Sequence, residues 1–234
     1  MNTFHHPDLL PAVVHLSDEE AGHALRVLRL KDGERVRLVD GRGSAAEGTL
    51  RIEGKQEARV EILSRSVIKR ERTATIHLAV APTKQLDRFE WMIEKCTEIG
   101  VDRITPLITA RSERKHVRLG RLQKGMGAAR KQSERAWLPQ LDAATTLAEL
   151  LASELPAQRL FGWCEGEGGS LTTTYDKSRN ALVLIGPEGD FTPEEAVKLT
   201  QQAFTPVMLG EARLRTETAA IVCCSWMNFA QQAG

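Results

Sequence analysis

The chain has 234 residues, of which 41% are hydrophobic and 27% charged, so it can bury a large core in one domain or two. Its formal net charge is +1, no apolar run approaches the roughly 20 residues that a membrane helix needs, and its first residues lack a secretory pattern. Its four cysteines form no C-x-x-C pair, which argues against a disulfide framework and against a metal site. We therefore expect a cytoplasmic protein with no membrane association and no bound metal.

The first third of the chain is predicted to be rich in β-strand. Ser17 and Glu20 have the spacing of a capping box, which predicts the start of a short helix. Three strands are expected after it, at residues 34–40, 45–52 and 57–63. A turn signal, Gly41-Arg42-Gly43, separates the first two. Short strands at this spacing predict a small β-barrel domain over residues 1–70.

Strands and helices are predicted to alternate from residue 71 onwards. The strands are expected at 75–81, 104–108, 159–164, 181–185 and 207–209. The helices are expected at 86–99, 119–135, 147–155, 193–202 and 216–230. Such alternation is typical of an α/β domain with a largely parallel sheet, so the second predicted domain covers residues 71–234.

Two glycine-containing stretches follow predicted buried strands near the end of the chain. Residues 184–191 read Leu-Ile-Gly-Pro-Glu-Gly-Asp-Phe, and residues 209–219 read Leu-Gly-Glu-Ala-Arg-Leu-Arg-Thr-Glu-Thr-Ala. Loops at the carboxyl ends of parallel strands bind small molecules because they turn backbone amides and carbonyls outward. A structural turn needs only one glycine, whereas the first stretch contains both Gly186 and Gly189. The two stretches therefore predict a ligand-binding cradle.

The polar residues near this cradle narrow the class of ligand. Glu188 and Asp190 favour a neutral or cationic ligand, and no Lys-Ser/Thr pair follows the glycines as it does in a phosphate-binding loop. Thr216 is a candidate N-cap for the last helix, with Arg215 and Glu217 beside the helix entrance. A functional role for Arg215 and Glu217 competes with a mutual salt bridge that is only structural.

Basic side chains are concentrated in three stretches of the chain, at residues 26–37, 65–72 and 111–135. The third stretch has nine Lys or Arg against two Glu, whereas residues 136–212 have four basic side chains against eleven acidic ones. A single basic run is usually a solvated helix face. Three clusters on one chain instead favour a nucleic-acid partner that is held in one orientation.

Motifs along the whole chain match, in order, those of one known family. In the first domain they are His23, Val27-Leu28-Arg29, Gly33-Glu34 and Asp40-Gly41. In the second domain they are Lys84, Arg88, Glu90, Trp91, Lys95, Glu98, Leu107, Arg111-Ser112, Gln132-Ser133, Arg135, Pro139 and the two glycine stretches. On these motifs the chain resembles the RsmE family of 16S rRNA uracil-N3 methyltransferases in the SPOUT superfamily.

The departures from the family pattern are few. Asp190 stands where many members have glycine, and Lys131 precedes Gln132-Ser133 where glutamate is frequent. Glu211-Ala212 replaces a pair that is commonly more basic. These differences bear on details of the cradle and not on the family.

The resemblance implies a PUA-like RNA-binding β-barrel followed by a SPOUT α/β domain that is threaded as a trefoil knot, in a homodimer. It also implies that S-adenosylmethionine binds in the knot and that a uridine in the 16S rRNA of the small ribosomal subunit is methylated at N3. The cofactor-binding residues that it implies are Leu184, Ile185, Gly186, Pro187, Glu188, Gly189, Leu209, Gly210, Leu214 and Thr218. The cationic sulfonium of this cofactor agrees with an acidic cradle that disfavours phosphate.

The chemistry of N3 methylation suggests roles for the other polar residues. Arg215 is predicted to stabilise negative charge on the uracil, and Glu217 to orient Arg215 or to accept the N3 proton. RNA contacts are predicted at Arg26, Arg29, Arg111, Arg114, Lys115 and Arg118. Two alternatives stay open: a SPOUT enzyme that methylates the ribose 2′-O of tRNA or rRNA, and a non-catalytic RNA-binding assembly factor.

Overall fold

The computed structural model describes residues 1–70, 72–133, 136–165 and 168–232, and the side chains of residues 124, 128 and 130–133 lie outside this description. The backbone divides into two units, one of Met1–Arg70 with Arg130–Leu138 and one of Glu71–Ala129 with Pro139–Gly234. The first unit thus takes in a segment, 130–138, that the sequence analysis assigned to the second domain.

The first unit contains a five-stranded sheet. Its strands are β1 (Asn2–His5), β2 (Val13–His15), β3 (Arg35–Val39), β4 (Ser44–Ile52) and β5 (Ala58–Val67). In the order β1-β3-β4-β5-β2, only the β1-β3 pair is parallel. The three strands predicted here are β3, β4 and β5. The two edge strands have four and three residues, too few for a pattern of alternating hydrophobicity to reveal them.

A short helix is tied to this sheet. The helix α1 (Asp18–Gly22) is N-capped by Ser17, whose hydroxyl accepts from the backbone amide of Glu20, as the sequence predicts. The Glu20 carboxylate accepts from the backbone amide of His5, which links the helix to β1. The helix continues as a π-helical turn over His23–Val27.

The segment Arg130–Leu138 contacts the rest of the first unit through the side chain of Trp137. Trp137 Nε1 donates to the carbonyl of Ile68 at 3.0 Å, and the amide of Gly43 donates to the carbonyl of Ala136 at 3.1 Å. A Cβ atom on Gly43 would lie 2.1 Å from the Trp137 ring, so the indole occupies the space that this glycine leaves. This return of the chain could not be predicted from the sequence, because local periodicity carries no information on a contact between residues so far apart.

The second unit contains an eight-stranded sheet in which every pair of described strands is parallel. Its strands are β6 (Ile76–Val80), β7 (Arg103–Ile108), β8 (Gln140–Leu141), β9 (Thr145–Thr146), β10 (Gln158–Gly162), β11 (Gly169–Ser170), β12 (Ala181–Ile185) and β13 (Thr205–Met208). The order is β11-β13-β10-β12-β6-β7-β8, and β9 pairs with β7. Every residue of β6 and β12 is buried, as expected for central strands that are covered on both faces.

Helices follow the strands of the second unit in alternation. They are α2 (Leu86–Ile99), α3 (Leu119–Ser133), α4 (Leu147–Leu151), α5 (Leu171–Thr174), α6 (Pro193–Gln201) and α7 (Thr216–Gln232). Buried side chains of α2 and α7 share one core with the sheet, and those of α4 and α6 share another. Alternate residues of β12 enter these two cores, so helices cover both faces of the sheet.

The predicted α/β class with a largely parallel sheet is confirmed. The strands β8, β9 and β11 have two residues each and were missed, as was the four-residue helix α5, because none is long enough for a hydrophobic pattern to repeat several times. The predicted end of the helix 119–135 at Arg135 lies outside the described residues. Within the described ranges, no helix is long and apolar enough to cross a membrane.

The strand order determines where a site can form in the second unit. Strand β10 lies between β12 and β13, and all three are parallel. Their carboxyl ends, Gly162, Ile185 and Met208, therefore lie at the same edge of the sheet. Both predicted glycine stretches leave the sheet at this edge, one after β12 and one after β13.

Candidate functional site

The carboxyl ends of β10, β12 and β13 open into one pocket of about 440 Å³. Its walls come from the loops that follow these three strands, namely residues 162–165, 185–190 except Gly189, and 207–216, together with Ala219 of α7. A volume of this size is within the range of small-molecule sites, roughly 300–1,000 Å³. The pocket is thus assembled from backbone turns at strand ends, as the sequence predicted for the two glycine stretches.

Most of the predicted cofactor and catalytic residues line this pocket. Those that do are Ile185, Gly186, Pro187, Glu188, Leu209, Gly210, Leu214 and Arg215. The others lie outside it. Leu184 is fully buried in the core, Gly189 faces the opposite side of its loop, toward Arg111, and both Glu217 and Thr218 belong to the first turn of α7.

The loop after β10 also lines the pocket, and sequence analysis did not assign it. Gly162, Trp163, Cys164 and Glu165 form this third wall. A signal was available, because the predicted strand at 159–164 includes Leu160-Phe161 followed directly by Gly162, as Ile185 is followed by Gly186. Gly162 lies next to Ile185, since a Cβ on it would be at contact distance, 3.4 Å, from Ile185 Cδ1.

A buried hydroxyl joins the two glycine stretches. Thr216 is 4% exposed, and its Oγ1 donates to the carbonyl of Gly186 at 3.0 Å. The prediction that Thr216 is the N-cap of the last helix is therefore wrong. Thr216 is the first residue of α7. The carbonyl of Arg215 accepts the first hydrogen bond of the helix, from the amide of Ala219 at 2.8 Å, so Arg215 is at the N-cap position.

Asp190 joins the first glycine stretch to the loop after β10. Its backbone has φ +60°, a left-handed conformation that favours glycine and that Asp tolerates better than most residues. The carboxylate is 6% exposed and accepts from the amides of Cys164 at 3.0 Å and Phe191 at 2.8 Å. These bonds hold aspartate in a backbone conformation that favours glycine.

The same contact affects the thiol at the pocket wall. Burial, and then the negative charge of Asp190, raise the pKa of the Cys164 thiol above its ordinary value. Cys164 therefore stays protonated at neutral pH and presents a neutral sulfur to the pocket.

Arg215 and Glu217 do not pair with each other. Arg215 is exposed at the pocket wall, and no described residue forms a hydrogen bond or ion pair with its side chain. Glu217 is buried, and its Oε1 lies 3.6 Å from Nη1 of Arg88 on α2. The structure thus shows an ion pair of Glu217 with Arg88, and not the salt bridge with Arg215 or the orienting contact to Arg215. Glu217 as the proton acceptor stays a prediction.

The residues predicted to contact RNA fall into two groups. Arg26, Arg29, Lys115 and Arg118 are exposed, and Arg29 has a left-handed backbone with φ +56°. Arg111 and Arg114 instead donate to backbone carbonyls of their own unit, Arg111 to Gly189 and Phe191 and Arg114 to Lys84. Within the described ranges, no group of three or more His, Cys, Asp and Glu side chains is arranged to hold a metal.

Comparison with known proteins identifies relatives over the full chain. Family models match for an RNA methyltransferase PUA domain, over residues 16–63, and an RNA methyltransferase domain, over residues 70–228. Ribosomal RNA small subunit methyltransferase E of Rickettsia conorii is 32% identical over 208 residues, which cover 88% of this chain and 84% of that protein.

Solved structures give the same result. A "probable rRNA-methyltransferase" from Porphyromonas gingivalis is 37% identical, with a TM-score of 0.93 over 100% of this chain and 99% of that one. Ribosomal RNA small subunit methyltransferase E from Neisseria gonorrhoeae, solved with bound S-adenosylmethionine, is 29% identical, with a TM-score of 0.89 over 98% of each chain.

The matched domains and the strand-end pocket define the architecture of an RNA methyltransferase with an N-terminal PUA domain. The chain belongs to the ribosomal RNA small subunit methyltransferase E family, the RsmE family predicted from its motifs. Family and fold class are thereby confirmed, whereas the trefoil threading stays a prediction.

The link between the glycine stretches is testable through stability. Thr216→Val keeps the shape of the side chain but leaves the buried carbonyl of Gly186 without its donor, so we expect unfolding free energy to fall by about 1–2 kcal/mol. Urea denaturation measures the change. The control Thr218→Val alters a half-buried threonine of the same helix turn and should change stability by less than about 0.5 kcal/mol. Equal stability of the two variants would contradict the role given to Thr216.

Proposed function

We propose that the protein transfers a methyl group from S-adenosylmethionine to N3 of a specific uridine in the 16S rRNA of the small ribosomal subunit. The observation that carries this proposal is the pocket between the two glycine stretches, in a chain of the RsmE family, with Arg215 exposed at its wall. A trefoil knot around this pocket and a homodimeric assembly complete the proposal. A ribosomal substrate also implies action in the cytoplasm.

The pocket fits S-adenosylmethionine in size. The volume of about 440 Å³ suits a nucleoside with an amino-acid tail. Gly210 has φ +142°, and a Cβ on it would meet no atom within 4 Å, so this backbone borders open space. Backbone groups of residues 185–188 and 209–214 are therefore the ones that would hold the adenine and ribose.

The pocket also fits the charge of the cofactor. The walls carry the carboxylates Glu165, Glu188 and Glu211, and S-adenosylmethionine has a cationic sulfonium. When bound, it supplies an electrophilic methyl carbon on that sulfur. The Glu188 carboxylate accepts from the backbone amide of Lys84 at 3.1 Å, so its negative charge is fixed beside the pocket.

The task of the protein at the base is to stabilise negative charge. Uridine N3 passes its proton to an acceptor, for which Glu217 is proposed, and the negative charge spreads to O2 and O4. N3 then bonds to the methyl carbon as the bond from that carbon to sulfur breaks, which leaves S-adenosylhomocysteine. An exposed guanidinium that binds no other described residue can donate to either oxygen, which is the role proposed for Arg215. The base must be unpaired or flipped out to reach it, at a cost of about a few kcal/mol that backbone contacts offset.

The role of Arg215 is tested by removing its charge. Arg215→Ala should lower kcat by about 100- to 1,000-fold, the usual loss when one oxyanion donor is removed, with an unchanged dissociation constant for S-adenosylmethionine. Arg213→Ala, on the same pocket wall, is the matched control and should retain most activity. Methyl-transfer kinetics and calorimetry give both quantities. Native kcat in the Arg215 variant would remove this residue from the chemistry.

RNA binding is assigned to the exposed basic residues of both units. Charge reversal at Lys115, Arg118, Arg26 or Arg29 should weaken RNA binding and reduce the salt slope by about one for each phosphate that is no longer neutralised. Filter binding at several salt concentrations measures this, while cofactor affinity should stay native. Lys198→Glu, at an exposed lysine of α6, is the control. Loss of cofactor affinity in the test variants would show a structural role instead.

The reaction itself is tested by identifying the product. Small ribosomal subunits from cells that lack this activity are incubated with the protein and labelled S-adenosylmethionine, and the RNA is then digested to nucleosides. We expect the label in 3-methyluridine. A labelled 2′-O-methyl nucleoside would indicate a ribose methyltransferase, and no label would indicate a non-catalytic RNA-binding factor. Either result would contradict the proposal.

A further inference from the structure

The loop after β12 is held from outside the pocket as well as from inside. The segment 186–191 is here named the cofactor loop. On its inner side it is bound to the Thr216 hydroxyl and to the amide of Cys164. On its outer side Nη1 of Arg111 donates to the carbonyls of Gly189 at 2.5 Å and Phe191 at 3.1 Å. One guanidinium thus binds two carbonyls near the end of this loop.

Arg111 projects from a turn that is itself anchored. The Ser112 hydroxyl accepts from the amide of Thr109 at 2.9 Å, and the two hydroxyls lie 3.1 Å apart. Thr109 and Ser112 are each 5% exposed. The amide of Ala110 donates to the Glu195 carboxylate of α6 at 2.8 Å. The turn that follows β7 is therefore a fixed base for the Arg111 side chain.

Arg111 also packs against the cofactor loop. Its side chain lies against Gly189, where an added Cβ would be 3.4 Å from Arg111 Cδ, an ordinary contact distance. Arg111 does not line the pocket, so any effect on a ligand there passes through the loop. Its guanidinium already donates to two carbonyls, so fewer of its N–H groups are available for a phosphate.

We propose that Arg111 is a positioning residue for the cofactor loop, which it holds in the conformation that binds S-adenosylmethionine, and not primarily an RNA contact. The inference rests on the proposed function of the pocket. The planar guanidinium suits this task because the two N–H groups of Nη1 have fixed directions in its plane, one toward each carbonyl. Without Arg111 the loop would lose two hydrogen bonds. The free energy needed to order the loop would then reduce the affinity for the cofactor.

The two roles of Arg111 predict different behaviour of lysine at this position. A lysine keeps the positive charge that a phosphate contact needs, but its ammonium is on a shorter stem and cannot place two in-plane N–H groups at the position of Nη1. If Arg111 positions the loop, Arg111→Lys and Arg111→Gln should both weaken S-adenosylmethionine binding by about tenfold. RNA affinity of Arg111→Lys should stay within about twofold of the native protein, since its charge is retained.

Calorimetry with S-adenosylmethionine and filter binding with small-subunit rRNA measure the two affinities for the full-length protein. Kinetics should show a raised KM for S-adenosylmethionine in Arg111→Lys, with kcat at saturation nearly native. A general structural defect would instead lower the active fraction and the unfolding midpoint. The control Arg118→Gln removes an exposed arginine from the same basic segment and should weaken RNA binding without changing cofactor affinity.

The results separate this inference from the proposed function. Native cofactor affinity in Arg111→Gln, or its full restoration in Arg111→Lys, would overturn the positioning role while leaving the proposed function intact. A native protein that does not bind S-adenosylmethionine would instead refute the proposed function. Tenfold weaker binding in both variants, beside native cofactor affinity in Arg118→Gln, is the result that we expect.

Discussion

The parallel pairing of β10 with β12 and β13 is the constraint on which the candidate site depends. It places three strand ends at one edge of the sheet, so loops that are far apart in sequence share one pocket. Two buried polar groups then fix these loops to one another: the Thr216 hydroxyl on the Gly186 carbonyl and the Asp190 carboxylate on the Cys164 amide. The strand order alone brings the loops close, and these bonds give the pocket its shape.

We assign two functions to the basic residues of the second unit. Arg111 and Arg114 donate to backbone carbonyls, those of Gly189 and Lys84. Lys115 and Arg118 are exposed and remain available for phosphates. Net charge along a sequence does not separate these functions, because a guanidinium that binds its own backbone counts the same as one in solvent. The division appears only when the partner of each cation is known.

The sequence predicted the class of fold and two of the three pocket walls because both depend on local patterns. Apolar runs that end in glycine identified the loops after β12 and β13, although only β12 is fully buried. The partners that fix the site could not be predicted in this way. Glu217 pairs with Arg88, which lies far earlier in the chain, and the Thr216 hydroxyl binds a carbonyl of another loop instead of capping its own helix. Contacts between distant segments follow from tertiary packing, which periodicity does not encode.

The proposed function requires that the cradle between the two glycine stretches binds S-adenosylmethionine beside Arg215. A crystal structure of this chain with S-adenosylhomocysteine, the demethylated product, would show whether it does. We predict that the adenine lies against the backbone of 185–188 and 209–214 and that the sulfur faces the side where Arg215 is exposed. Electron density for the ligand in any other cavity, or a sulfur turned away from Arg215, would contradict this assignment.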